Sequence, residues 1–213
     1  MREEIIEFYS GALTLEGVLD MPDGREPFPA VIVCHPHPLH GGSMDNNVVN
    51  SLCDALYEKS IISFKFNFRG VGGSQGEYGN GIGEQEDASN AISFLSTLSE
   101  VDSGRIGLAG YSAGAAFALS VGCQDARIKA LAAISPPLSM FDFEFLKNCM
   151  KPQFLISGSE DNFTPIDRFI GFCQDLPGSR EYDCIEGADH FWWGYESVLA
   201  PKTTAFFTKT LKG

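Results

Sequence analysis

Long apolar runs, paired cysteines and positive charge are what this sequence lacks. No stretch approaches the roughly 20 apolar residues a helix needs to span a bilayer, so a membrane-spanning chain is not expected. Basic residues are scarce: 15 Lys and Arg stand against 28 Asp and Glu, for a net charge of −13. A surface that acidic disfavours nucleic acid and anionic membranes as partners. Six cysteines (Cys34, Cys53, Cys123, Cys149, Cys173 and Cys184) show no Cys-x-x-Cys spacing and no dense framework. The expectation is free, mostly buried thiols in a reducing, cytoplasmic compartment. Met1-Arg2-Glu3-Glu4 leads into a strand-like segment and not a signal peptide. No internal repeat or low-complexity tract is visible.

What is present suits a packed core. A hydrophobic fraction of 44% with 20% charge over 213 residues points to one ordinary α/β domain, 1–213. Residues 5–9 and 13–20 read as an antiparallel hairpin, and the Pro- and Gly-containing segment 21–29 as a loop. The unbroken apolar run 30–34 is the pattern of a strand buried on both faces. Strands are expected again at 61–68, 105–109, 128–134, 153–157 and 181–185. Helical spacing covers 48–58, 84–98, 115–121 and 203–210. A hairpin followed by alternating strand and helix describes a mostly parallel sheet of about eight strands with helices on both faces. Ligands of such sheets bind beyond the carboxyl ends of the strands.

The chemistry gathers at those ends. Gly110-Tyr111-Ser112-Ala113-Gly114 follows one strand and opens a small-residue helix. That is the strand–turn–helix setting in which a serine sits on a strained elbow with its hydroxyl exposed. The helix behind it aims N–H groups at the same point, ready for developing negative charge. Two later strands end in Gly158-Ser159-Glu160-Asp161 and Ala188-Asp189-His190-Phe191. Ser112, Asp161 and His190 therefore occur in the order nucleophile, acid, base. A serine hydroxyl needs an imidazole to take its proton, and the imidazole needs a carboxylate to fix its tautomer and stabilise its cation. Glu160 is the rival acid, one residue away. His35, His37 and His40 invite a metal reading from their spacing, but no matching carboxylate or cysteine set accompanies them. No metal and no cofactor are expected.

These motifs carry a resemblance. With His35-Pro36-His37-Pro38, Gly41-Gly42-Ser43-Met44 and Phe66-Asn67-Phe68-Arg69-Gly70-Val71-Gly72-Gly73-Ser74, the chain resembles the α/β-hydrolase superfamily over nearly its whole length. It looks closest to small lidless bacterial serine hydrolases related to dienelactone hydrolases and short esterases. Dienelactone hydrolases use a cysteine at the elbow, where this chain has Ser112. The resemblance implies an α/β-hydrolase fold, with Ser112 as nucleophile, His190 as base and Asp161 as orienting acid. The amide of Ala113 would supply one oxyanion donor. The second would come from the backbone after the third strand, where Pro36 and Pro38 have no N–H and His37 keeps one. Arg69 reads as a structural partner of Asp87 or Glu86, because its glycine loop lacks the Gly-Lys-Ser/Thr ending of a phosphate-binding loop.

The interval 136–152 has room for a short apolar flap and not for a lid domain. Leu39, Phe141, Phe163, Phe191 and Trp192 are the candidate pocket residues, since small-molecule pockets are mostly apolar; core aromatics are the competing reading. The expected substrate is a small or medium acyl ester, cleaved through an acyl-enzyme. A thioesterase or aminoacyl peptidase would use the same triad, and a non-catalytic binding scaffold is the reading from another class. A homodimer is left open.

Overall fold

The computed structural model describes residues 2–24 and 27–213. An antiparallel hairpin opens the chain: β1 (Arg2–Ser10) pairs with β2 (Leu13–Met21), from Arg2 opposite Met21 to Ser10 opposite Leu13. Then follow β3 (Phe28–Cys34), α1 (Asn47–Glu58), β4 (Ile62–Phe66), α2 (Ile82–Leu95), β5 (Val101–Tyr111) and α3 (Ala113–Gln124). The remainder is β6 (Ile128–Ile134), β7 (Gln153–Gly158), α4 (Ile166–Asp175), β8 (Arg180–Ile185) and α5 (Glu196–Lys212). The eight strands form one sheet in the order β1-β2-β4-β3-β5-β6-β7-β8. It is parallel from β4 to β8 and antiparallel where β2 meets β1 and β4.

The central strands are apolar because both of their faces are covered. Val31 and Val33 of β3 join Leu52 of α1 and Phe207 of α5 in one core. Ile32 and Cys34 face the other way, against Ala91 of α2 and Phe117 of α3. Helix starts are local chemistry. Asn46 caps α1, its side-chain oxygen accepting from the Val48 amide at 2.9 Å. Glu84, fully buried, accepts from the amides of Gly79 at 2.8 Å and Gly81 at 2.7 Å and fixes the entry to α2.

Several expected boundaries move. The loop expected at 21–29 is shorter, since β2 runs through Met21 and β3 starts at Phe28; Arg25 and Glu26 lie outside the described residues. The strand expected at 61–68 stops at Phe66, and the helix expected at 84–98 runs from Ile82 to Leu95. Here β5 begins earlier and runs on to Tyr111, so the turn is confined to Ser112. A helix not anticipated, α4, buries only Phe169 and Cys173. Ile166, Phe169, Ile170 and Cys173 nevertheless carry the helical i, i+3, i+4, i+7 spacing, so the signal for it is present in the sequence. The last helix starts at Glu196, ahead of Pro201; tertiary packing outweighs the one amide hydrogen bond that Pro201 forgoes. All six cysteines are free thiols, four of them buried. No helix among the described residues is long and apolar enough to cross a membrane.

Two buried polar contacts brace the ends of the strands. Past β4, the Arg69 guanidinium meets the fully buried Asp87 carboxylate of α2, Nη2 to Oδ1 at 2.6 Å and Nε to both oxygens at 3.1 Å. The same carboxylate accepts from the Arg69 amide at 3.0 Å and from Ser10 Oγ of β1 at 2.7 Å. Arg69 also reaches Glu86 at 2.9 Å, so both expected partners are engaged. Past β3, His35 is buried, with Nδ1 2.7 Å from the Pro36 carbonyl oxygen and Nε2 3.0 Å from the Phe68 amide nitrogen. An amide can only donate and a carbonyl only accept, so Nδ1 carries the proton and the ring is neutral. Burial lowers its pKa from the usual histidine value to about 4.

Asp87→Ala should lose about 3 kcal/mol, because it removes the buried acceptor shared by the Arg69 guanidinium, the Arg69 amide and Ser10 Oγ and leaves the guanidinium only the exposed Glu86 as a charged partner, whereas the paired Arg69→Met/Asp87→Leu variant should lose less. Urea denaturation of the two proteins checks this; equal losses would count against it. His35 predicts a pH dependence. Between its ordinary pKa near 6.5 and its folded value near 4, the unfolded chain takes up a proton that the folded chain refuses. Stability should therefore fall as pH drops from about 6.5 to about 4, by about 3 kcal/mol from this group. His35→Gln should flatten that part of the stability curve, and an unchanged slope would assign it elsewhere.

Candidate active site

Three strand ends meet over one spot. At the end of β5, Ser112 adopts φ 54° and ψ −125°, a region a non-glycine residue enters only when its surroundings hold it there. Its amide donates to the Ile134 carbonyl at 2.8 Å, and its carbonyl accepts from the Ala115 amide at 3.0 Å. The flanking glycines are there for space. A Cβ on Gly110 would lie 2.5 Å from Ala115 Cα, and one on Gly114 only 2.3 Å from the His35 carbonyl oxygen. The chain can turn from β5 into α3 within one residue only because both are glycine.

Beyond β7, Asp161 is buried with its carboxylate pinned. Oδ1 accepts from the amides of Phe163 at 2.9 Å and Thr164 at 3.1 Å, and Oδ2 lies 3.3 Å from Ser157 Oγ. Its neighbour Glu160 is exposed. Beyond β8, His190 places Nδ1 2.8 Å from Asp161 Oδ2 and Nε2 2.9 Å from Ser112 Oγ. A carboxylate only accepts, so the proton sits on Nδ1 and Nε2 is left to accept from the serine hydroxyl.

The loop that carries His190 is anchored at both ends of its turn. Tyr111, beside Ser112, donates its hydroxyl to the His190 carbonyl at 2.7 Å. Burial, then the charges of Asp161 and Asp189, push its phenol well above the usual range, so it keeps the proton it donates. Asp189 Oδ1 accepts from the amides of Phe191 at 2.9 Å and Trp192 at 3.1 Å. Trp192 turns at φ 64° and donates its indole N–H to Ser135 Oγ at 3.0 Å.

His37 and Ala113 border the same cavity as Ser112. Neither amide has a protein acceptor among the described residues: His37 lies outside regular structure and Ala113 is the first residue of α3. The His37 ring is otherwise occupied, accepting from the Leu39 amide at 3.2 Å and meeting the Tyr78 hydroxyl at 3.2 Å. Burial and the neighbouring His40 lower its pKa. His35 uses both ring nitrogens within the fold, so the three histidines do not converge. Among the described residues no cluster of three metal-binding side chains is present.

The cavity over Ser112 is about 500 Å³, within the range of small-molecule sites. Of the candidate pocket residues, Phe141, Phe163 and Phe191 line it. Leu39 and Trp192 do not: Leu39 is exposed outside the rim, and Trp192 is fully buried in the core shared with α1 and α5. The turn built on Asp189 sends Phe191 and Trp193 outward and Trp192 inward, which residue types in a Phe-Trp-Trp run do not reveal. Met140, His40 and Asn46 also line the cavity. Met140 belongs to the apolar interval 136–152; the sequence marks His40 only as a candidate metal ligand and does not single out Asn46 as a site residue.

Residues 14–166 match the family model described as X-Pro dipeptidyl-peptidase (S15 family). An uncharacterized protein of Rickettsia prowazekii is 35% identical over 172 residues, covering 77% of this chain and 72% of that protein. An alpha-beta serine hydrolase homologue from Coxiella burnetii is 32% identical with a TM-score of 0.86, covering 99% of this chain and 98% of its own. A Xanthomonas campestris protein, described as an a/b serine hydrolase without lid, is 25% identical with a TM-score of 0.88, covering 100% and 97%. With the sheet order, the elbow and this match over most of its length, the chain belongs to the S15 peptidase family of the α/β-hydrolase superfamily.

Proposed function

We propose that this protein is a serine hydrolase of neutral acyl esters that works through an acyl-enzyme. The observation that carries the reading is the hydrogen-bonded line Asp161–His190–Ser112 beneath a cavity with no Asp, Glu, Lys or Arg side chain in its lining. Ser112 Oγ attacks the acyl carbon while its proton passes to His190 Nε2. Asp161 holds the imidazolium that forms, and the carbonyl oxygen gathers charge opposite the amides of Ala113 and His37. Collapse breaks the acyl–oxygen bond, and Nε2 returns the proton to the leaving alcohol. Water then repeats the sequence on the acyl-serine, with His190 again taking and returning the proton.

The family model favours a second reading, an aminoacyl peptidase. Cleaving a dipeptide from a free N-terminus requires an anionic partner for the substrate ammonium, because a buried charge needs a counter-charge. The cavity lining offers none, which weighs against that reading and for a neutral acyl group.

A fluorophosphonate probe should label Ser112, identified by mass spectrometry, and labelling should vanish in His190→Ala. Ser112→Ala should lower kcat on any ester substrate by about four orders of magnitude or more, with thermal unfolding unchanged; an active, folded Ser112→Ala protein removes the mechanism. In a panel of neutral acyl esters, acyl thioesters and X-Pro amides, the esters should give the largest kcat/KM. Faster cleavage of X-Pro amides would replace the ester reading with the peptidase one.

A further inference from the structure

Two cavities of this molecule share one wall. Besides the active-site cavity there is an outer groove of about 620 Å³, and Met140 and Phe141 belong to the linings of both. The two spaces differ in chemistry: the groove includes Asp142, Glu144, Lys147, Arg168 and Asp175, and the cavity over Ser112 no such side chain.

The wall is braced. The amides of Met140 and Phe141 donate to the Pro137 carbonyl at 2.9 and 3.1 Å, closing a tight turn. Ser139 Oγ donates to the Phe163 carbonyl at 2.7 Å, tying that turn to the loop that carries Asp161. Leu138, Phe143 and Leu146 are buried and root the segment in the core. The Phe141 ring stands edge-on to Phe117 of α3, centroids 5.6 Å apart at 88°, and lies 6.5 Å from the His37 ring. Phe117 is itself buried against Phe68, at 5.9 Å. A ring seated this way is a stop and not a swinging lid.

Resting on the ester reading above, we infer that Phe141 is the specificity-determining residue that ends the acyl compartment, so that the natural substrates are neutral esters with short acyl chains. A chain attached to Ser112 extends through apolar space until it meets the Phe141 ring. Beyond that ring lies charged, water-exposed groove, where further methylenes gain little from burial. Shortening Phe141 joins the two spaces and lengthens the compartment.

The test is a series of p-nitrophenyl esters from acetate to dodecanoate, assayed with the wild type, Phe141→Leu and Phe141→Ala. The same esters are titrated by calorimetry into Ser112→Ala and Ser112→Ala/Phe141→Ala, which require no turnover. The wild type should favour short chains. Phe141→Ala should gain about tenfold or more in kcat/KM for octanoate relative to acetate, with Phe141→Leu between, and the double variant should bind the octanoate ester correspondingly tighter. Phe141→Leu keeps a large apolar side chain, so the series does not depend on the alanine variant folding well. An unchanged chain-length ranking in both turnover and binding overturns the inference, as does a gain confined to long alcohol groups. Tighter binding of long acyl chains with no turnover by any protein sustains the wall and overturns the ester reading.

Discussion

The close contact between Gly114 of α3 and the end of β3 is the constraint on which the rest of the site depends. A side chain there would lie 2.3 Å from the His35 carbonyl oxygen and 2.6 Å from that of Cys34. With the helix seated that deep, Ser112 has one residue in which to reverse direction, and its left-handed backbone follows. The same contact brings the first amide of α3 beside the loop after β3, so Ala113 and His37 border one cavity. His35 completes the link by holding the segment after β4 through the Phe68 amide. The elbow, the loop after β3 and the glycine loop are thus positioned by one packing event, and a buried neutral imidazole is its polar pin.

Strain is concentrated at the site. Of the five described non-glycine residues with positive φ, Ser112 is the elbow, while Ser135 and Trp192 are hydrogen-bonded to each other under the His190 loop. Conformations that cost on the order of 1–3 kcal/mol each persist only where surrounding contacts over-determine them. Here those contacts are the buried indole, the Tyr111 hydroxyl on the His190 carbonyl and the two amides on Asp189. The imidazole is therefore held by backbone restraints on its loop as well as by Asp161. Such preorganisation lets a serine–histidine–aspartate line act without reorganising during reaction.

The cavity's neutrality stands out against a chain of net charge −13. The acidic residues are kept out of the lining, and the polar side chains there are those of Ser112, Tyr111, Asn46 and the histidines His37, His40 and His190. The negative field of the whole molecule would slow the approach of anionic substrates, and the lining offers no carboxylate to hold a cationic one. Both features support the proposed neutral substrate, although the family model carries a peptidase's description.

Much of this was legible in the sequence. The α/β layering follows from apolar runs such as 30–34 alternating with helical spacing. The Gly110–Gly114 pattern marks the elbow, and the order of Ser112, Asp161 and His190 places each at a strand end. Those signals are local or depend only on order along the chain. Even the proline pair that singles out the His37 amide is a statement about covalent structure. What the tertiary structure alone decided is which way side chains face and what lies across from them. Trp192 enters the core while Phe191 and Trp193 do not, because the turn on Asp189 rotates successive residues to opposite sides. Leu39 is left on the surface, whereas His40, which the sequence suggests only as a metal ligand, and Asn46 come to line the cavity. Helix α4, by contrast, was legible though not anticipated: Ile166, Phe169, Ile170 and Cys173 pack toward the core at helical spacing. Phe141 is seated against Phe117 and the His37 ring, both distant in sequence. Periodicity and motif order are encoded along the chain, but the facing of a side chain depends on backbone rotation and on residues far away, and those exist only once the chain has folded.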